Sequence, residues 1–490
     1  MHENQDAQSS QRISIVYFGY DPLRHSVLAA VRCSRIIVAA GLGVIDYKIT
    51  FAKKYASDEE HLRAVSDCHR RSAGHVLQAL LANGGIFIKL GQHLAAVAVL
   101  PLEWTSAMRP LQDKCEPTPY EEVEALFRKD MGAPVSELFD EFDPVPIGVA
   151  SLAQVHVGRD RKTGRRVAVK IQHPHLAEFC EIDMAVFEFT WLADEMRTNL
   201  PLEMNFVHEA ANAERTKEDF KSTRTTLYIP EVLSATRRVL VMEFIEGGRV
   251  DDLRYLEKWD INRNRVALEL AAIFNQMTLL NGWFHAIAAQ FRDCALGSRP
   301  IFDLDPELRV NYSKLWLSLI SPASPTTIAD RRKYALLVGN IGRIWFYPVF
   351  EAALTGRANL EGSHTAGAAE HPETFKRGSG LIDLKRQSEE EKEAIRDAVV
   401  QNGILLSVLD VLRRVPRRVL MIFKLNDLTR SLDHALMTTH SNIRIFLISA
   451  KYCATAVWQD EQRRLIDEMQ GMGFLSLGAP APIFPLLVVS

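Results

Sequence analysis

The stretch Pro146–Ile171 (PIGVASLAQVHVGRDRKTGRRVAVKI) holds the residue types best suited to chemistry. Its loop, Gly148-Val149-Ala150-Ser151-Leu152-Ala153-Gln154, is rich in small side chains. Such a loop lets backbone amides approach a phosphate, and the Ser151 hydroxyl adds a donor. Alanine reaches fewer positive-φ conformations than glycine, so the loop should be stiffer than a glycine-rich one. The strand Val167-Ala168-Val169-Lys170 ends on an ammonium suited to phosphate oxygens. Many buried strands end on a snorkelling lysine, so Lys170 discriminates little without the loop before it. The competing reading of the loop is an ordinary strand entry in which alanine is merely small.

In a kinase-like nucleotide site the strand lysine meets the α- and β-phosphates and is held by a helix glutamate. Glu209, in the run Glu209–Arg215, is the candidate partner. Lys89 and Gln92 of Lys89-Leu90-Gly91-Gln92 lie three apart, on one helix face. Glu203-Met204-Asn205 places a carboxylate and an amide shortly before Glu209. Each is uninformative in isolation, since a helix carboxylate is more often solvated than functional.

The elements that position these groups read simply. Residues 61–142 are helical by pattern, with Gly84-Gly85 breaking or kinking the run. Pro117 and Pro119 start a helix whose first turn is rich in Glu121, Glu122 and Glu124. Short strands follow to about Lys170, with a hairpin turn at Thr163-Gly164. Helix comes next, then the strand Val239–Glu243, then mainly helix. Asn359–Gly380 is polar and Gly-rich and reads as a loop. The fold class expected is α+β, with a small antiparallel sheet, a large helical body and a helical N-terminal extension.

Composition sets wider bounds. The 490 residues are 47% apolar and 24% charged, as in globular proteins, with a net charge of −3. That charge gives no general electrostatic case for a nucleic-acid partner. The six cysteines are scattered without a CxxC, which suggests neither a zinc site nor a disulfide framework. No uninterrupted run of 18 apolar residues occurs; the nearest candidate, Val27–Ile45, carries Arg32 and Arg35. Residues 12–45 are basic and acid-poor, as in an organelle-targeting helix, or else form an amphipathic helix on the body of the protein.

KLGQ, Leu100-Pro101, Leu111-Gln112-Asp113, PIGVASLAQVH, VAVKIQHP, EAANAER, Ile229-Pro230-Glu231 and VLVMEFIEG occur in one order. As a set they resemble the UbiB, or aarF-domain, family of atypical kinases, in particular its mitochondrial branch. The resemblance runs from about Asn83 to Ala286 and resumes near Asp303, through Val415-Pro416-Arg417 to Lys424–Leu428. It implies a protein-kinase-like two-lobe fold whose KxGQ element restricts access to the active site. It also implies binding of Mg-ATP, ATPase-type activity, and a role in coenzyme Q or mitochondrial lipid homeostasis. By motif, Ala150 and Ser151 fall in the nucleotide loop, Lys170 is the ATP lysine and Glu209 its partner. Glu243 starts the hinge that meets adenine; Lys89, Gln92, Glu203 and Asn205 form the gating motifs. The implied partners are a nucleotide and a lipid or inner-membrane surface, at a mitochondrial location peripheral to the inner membrane. On this frame residues 1–60 are a leader, 61–142 the extension, 143–245 the N-lobe, 246–440 the C-lobe and 441–490 a tail.

The chain departs from the pattern twice. Asn205 stands where the family's ExD motif has a carboxylate, so a charge-assisted contact to Lys89 becomes neutral and weaker. After Gly282-Trp283-Phe284-His285-Ala286 the family continues with an Asp-Pro-His-Pro-Gly-Asn-type loop and an Asp-x-Gly metal site; here the chain reads IAAQFRDCALGSRPIF. His285 matches the loop's leading histidine, a structural residue in kinase-like folds. Asp303 and Asp305 are the nearby acidic pair, yet no glycine follows, and Asp305-Pro306-Glu307 reads as a helix start. No catalytic or metal-binding residue is therefore assigned. A genuine pseudokinase and a misplaced exon boundary both account for the gap. Two functions stay open: an atypical kinase or ATPase impaired as given, and a non-catalytic nucleotide-binding or lipid-handling scaffold.

Overall fold

The computed structural model describes residues 22–95, 101–112, 115, 117–174, 176, 200–285, 301–322, 324–340, 350, 354, 415–439 and 443–471. Two compact units divide the chain: residues 1–129, 144–156 and 170–200 form one, and residues 130–143, 157–169 and 201–490 the other.

The first unit begins with α1 (Pro22–Ala52) packed along α2 (Asp58–Asn83). Ser57 caps α2, its hydroxyl accepting from the Glu60 amide, while the Glu60 carboxylate accepts from the Ala56 amide. Arg32 does not face solvent as a charge on an exposed helix would. Arg32 is buried and donates to the Asn83 carbonyl at 2.6 Å, and Arg35 donates to the Ala82 carbonyl at 2.8 Å. Those carbonyls are at the open C-terminal end of α2, where cations are favoured.

Gly84 (φ 65°) and Gly85 (φ 52°) then break the helix as expected, and α3 (Gly85–Ala95) starts anew. Gly91 of the KLGQ motif is fixed by packing. A Cβ there would press on Leu111 Cδ1 and sit 2.8 Å from Leu80 Cδ1, both leucines being buried. Gly91→Ala is expected to cost about 1–3 kcal/mol by overpacking, read from urea denaturation. α4 (Leu102–Ala107) and the 3-10 turn Arg109–Gln112 complete this layer, and α5 (Tyr120–Asp130) begins where Pro117 and Pro119 place it.

The second unit holds the sheet. β1 (Phe139–Phe142) pairs antiparallel with β3 (Ala153–Asp160), and the strand order is β1-β3-β4-β6-β5 with β4 (Arg166–Gln172), β5 (Val232–Ala235) and β6 (Val239–Glu243). β3 and β4 run on into the first unit. β1 lies within residues read as helical; Phe139 and Phe142 pack on each other beside Gly158, a contact that helical periodicity cannot register. The β3–β4 turn is the expected one, with Gly164 at φ 66° and the Asp160 amide bonded to the Arg165 carbonyl.

In the second unit, α7 (Phe206–Phe220), α9 (Arg263–Asn275) and a π-helical turn (Gln276–Asn281) lead to β7 (Trp283–His285). The short helices α6 (Val135–Leu138) and α8 (Leu253–Lys258) fill the connections. β8 (Ile301–Asp303), antiparallel to β7, precedes α10 (Pro306–Ile320), α11 (Pro325–Gly339), α12 (Arg417–Ala435) and α13 (Ile443–Gly471). One apolar core joins Phe274, Trp283, Leu315, Trp316, Val419 and Cys453, so α12 and α13 are body, not appendage. The α+β expectation holds. The loop Asn359–Gly380 lies outside the described residues.

Candidate nucleotide site

In the first unit the small-residue loop is a tight hairpin. β2 (Gly148–Val149) pairs with Gln154 and Val155 of β3, and the Ala150 amide bonds to the Ala153 carbonyl at 2.8 Å. Only Ser151 and Leu152 remain to make the turn. No residue from Gly148 to Gln154 has positive φ, so alanine serves here without strain. Ser151 is buried, as is Lys170 in β4.

His173, one residue past β4, clamps the hairpin. Its amide donates to the Leu152 carbonyl at 3.1 Å, and its Nε2–H donates to the Ala150 carbonyl at 2.9 Å. With Nε2 as donor, Nδ1 accepts from the Thr118 hydroxyl at 2.7 Å. Thr118 is held in turn by Gln154, whose Oε1 accepts from the Thr118 amide at 2.6 Å. The buried Gln154 amide nitrogen also reaches His156 Nε2 at 2.8 Å. His173 lies within VAVKIQHP, where nothing in the sequence marks it for a role. Its partners lie 23 and 55 residues away, beyond any local signal.

Burial pushes the His173 pKa below its ordinary 6.5, against the Ala150 carbonyl, which raises it. The folded state thus binds this proton less readily than the unfolded one. The stability it contributes is intact above pH 6.5 and falls as pH drops below that value. His69 is shifted the same way, also by burial. Comparing wild type with His173→Gln between about pH 7.5 and 5 isolates His173. The variant is expected to melt lower at the upper pH and to show the shallower pH dependence; parallel curves would exclude the clamp.

Lys89 is buried on α3, and Gln92, one turn on, donates to the Leu111 carbonyl at 2.9 Å. These KLGQ residues belong to the first unit, with Ala150, Ser151 and Lys170. Glu203, Asn205, Glu209 and Glu243 belong to the second. Asn205 is the N-cap of α7, its Oδ1 accepting from the Val207 amide at 3.1 Å. Asparagine caps as well as aspartate, so the departure from the ExD pattern leaves this helix start intact. An Asn immediately before an apolar-periodic run was the available signal. Glu209 sits buried in the first turn of α7. The Glu243 carboxylate accepts from the Tyr228 hydroxyl at 2.8 Å and the Glu231 amide at 3.2 Å, with Arg165 4.0 Å away. These partners, Tyr228 first, hold its pKa below the ordinary carboxylate value.

The residues present suit a nucleotide better than a metal. A tight small-residue hairpin and a buried strand lysine fit phosphate chemistry. Among the described residues no group of three or more His, Cys, Asp or Glu side chains could hold an ion. Asp303 is paired with Arg215 at 2.6 Å. Asp305 caps α10, its Oδ2 accepting from the Leu308 amide at 3.0 Å, as the Asp-Pro-Glu order predicts. Neither is placed as a metal ligand. His285 closes β7.

Residues 110–287 match the ABC1 atypical kinase-like domain, a match that ends where the sequence leaves the family pattern. The ABC1 family protein MCP2 homolog of Schizosaccharomyces pombe is 35% identical over 485 residues, covering 92% of this chain and 83% of that protein. The mouse AarF domain-containing protein kinase 1 is 32% identical over 469 residues, covering 89% and 83%. A solved complex of Rv3197 with erythromycin from Mycobacterium tuberculosis aligns with a TM-score of 0.36 at 17% identity, covering 76% of this chain and 97% of that one. With this identity sustained over most of both chains, and with the ordered motifs on a sheet and helical body of the expected kind, the protein belongs to the ABC1 (AarF-domain) family of atypical kinases and has its kinase-like fold.

Proposed function

We propose that this chain binds ATP through Ala150, Ser151, Lys170, Glu209 and Glu243, and supports mitochondrial lipid or coenzyme Q homeostasis with impaired phosphoryl transfer. The carrying observation is the hairpin at Ala150–Ala153, closed by His173 and lying in one unit with the buried Lys170. Lys89, Gln92, Glu203 and Asn205 form the gating element in this reading. Impairment is supported by the sequence between Ala286 and Asp303, which holds no substitute catalytic loop, and by the engagement of Asp303 and Asp305 elsewhere. A mitochondrial location peripheral to the inner membrane is supported by the basic, acid-poor residues 12–45.

A thermal-shift titration with ATP, with and without Mg²⁺, tests the binding. Stabilisation that does not need Mg²⁺ is expected, lost in Lys170→Met. No stabilisation at all would reject nucleotide binding. A second reading, an active atypical kinase, is favoured by the sustained identity to relatives named as kinases. It requires Mg²⁺-dependent stabilisation together with ATP hydrolysis by the native chain.

A further inference from the structure

The segment that leaves β6 is tied down from both sides. On one side the Glu243 amide donates to the Glu231 carbonyl at 2.8 Å, just before β5. On the other the Phe244 amide donates to the carbonyl of Arg166, the first residue of β4, at 3.3 Å. Side chains repeat both ties. The Arg166 guanidinium lies over the Phe244 ring, its central carbon 4.2 Å from the centroid, and donates to the Glu246 carboxylate at 2.9 Å. Arg165, immediately before β4, donates to the Glu231 carboxylate at 2.7 Å and stands 4.0 Å from Glu243 Oε1. The hydroxyl of the exposed Tyr228 donates to Glu243 Oε2 at 2.8 Å. All of these residues belong to the second unit.

Each tie alone is weak. The Arg165–Glu231 and Arg166–Glu246 pairs are exposed, and exposed pairs contribute little singly. Here two consecutive arginines, a stacked ring and two backbone hydrogen bonds converge on four residues, Glu243–Glu246. The carboxylates of Glu231, Glu243 and Glu246 gather around the same two guanidiniums, which offset their mutual repulsion. β6 does not need these contacts to stay in the sheet, since Val239–Met242 are buried. What the contacts add is a fixed course for the backbone beyond Glu243. Backbone groups of such a segment can fix the orientation of a planar base, and a segment already ordered loses less freedom on binding.

We propose that Arg165, Arg166 and Tyr228 are positioning residues that hold Glu243–Glu246 in the course that receives a nucleotide base. This role rests on the nucleotide-binding reading above, so the test separates the two. The native chain and Arg166→Ala are titrated with ATP and with inorganic tripolyphosphate, which carries the phosphates without a base. Arg166→Ala is expected to weaken ATP about fivefold, the scale of one exposed cation–π contact, and to leave tripolyphosphate unchanged. Without ligand, hydrogen exchange of the Glu243–Glu246 amides is expected to quicken in the variant, with Val239–Met242 unaltered. Tyr228→Phe, a change at an exposed site, removes one tie only and is expected to move both readouts the same way by less; it carries the test if Arg166→Ala does not fold. Unchanged exchange, unchanged ATP affinity, or equal losses for ATP and tripolyphosphate would each overturn the role. A native chain that binds neither ligand would reject nucleotide binding and this role with it. A native chain that binds ATP no better than the folded variants rejects the role alone.

Discussion

A chain in which residues 287–302 are replaced by an Asp-Pro-His-Pro-Gly-Asn-type loop and an Asp-x-Gly site is expected to hydrolyse Mg-ATP about a thousandfold faster than the native chain, a gain of about 4 kcal/mol at the transition state. Phosphoryl transfer asks little covalent chemistry of the protein. The charge spreading over the transferred group must be met by Mg²⁺ and its Asn and Asp ligands. Past the replaced segment the native chain next offers Asp303 and Asp305. Asp303 is held by Arg215, which also lies over the Trp283 ring, its guanidinium carbon 5.7 Å from the ring centroid. Asp305 is committed to the first turn of α10, and drawing it away would uncap that helix. A coupled ADP-release assay on both proteins decides the matter. Equal rates, with both chains folded, would remove the missing loop as the cause of impairment.

Trp283→Ala is expected to destabilise the protein by about 3–5 kcal/mol, the second large effect. Trp283 is fully buried in the core of the second unit, among its largest side chains. Its indole N–H donates to Asp219 at 2.6 Å, joining β7 to the end of α7. Gly282 before it takes φ 78°, ending the π-helical turn and aiming the strand into the core. A side chain at Gly282 would lie 2.7 Å from the Arg309 guanidinium, which donates to the Leu280 carbonyl. Truncation of Trp283 removes the packing and leaves the Asp219 carboxylate without this donor. Trp283→Phe separates the two contributions, keeping most of the volume while losing the N–H, at about 1–2 kcal/mol. Urea denaturation of the three proteins gives the ordering. An alanine variant as stable as the phenylalanine one would mean the site collapses freely, contrary to its position in the core.

The sequence by itself determined the parts whose causes are local. Proline at the start of α5, two adjacent glycines between α2 and α3, Thr163-Gly164 between strands and the Asp-Pro-Glu start of α10 each act within a turn of backbone. So do the strands that carry Lys170 and Glu243, which run apolar over a few residues. The order of the motifs supplied the family. The tertiary structure alone decided which polar groups those elements bring together. His173 meets the hairpin and Thr118; Asp130 pairs with Arg238, 108 residues on; Arg32 finds the end of α2, 51 residues on. A histidine, an aspartate or an arginine looks the same in sequence whether it faces water or a distant carbonyl. The choice is made by burial. Once the chain closes, a polar group cut off from water must find a partner, and only the fold determines which partner is within reach.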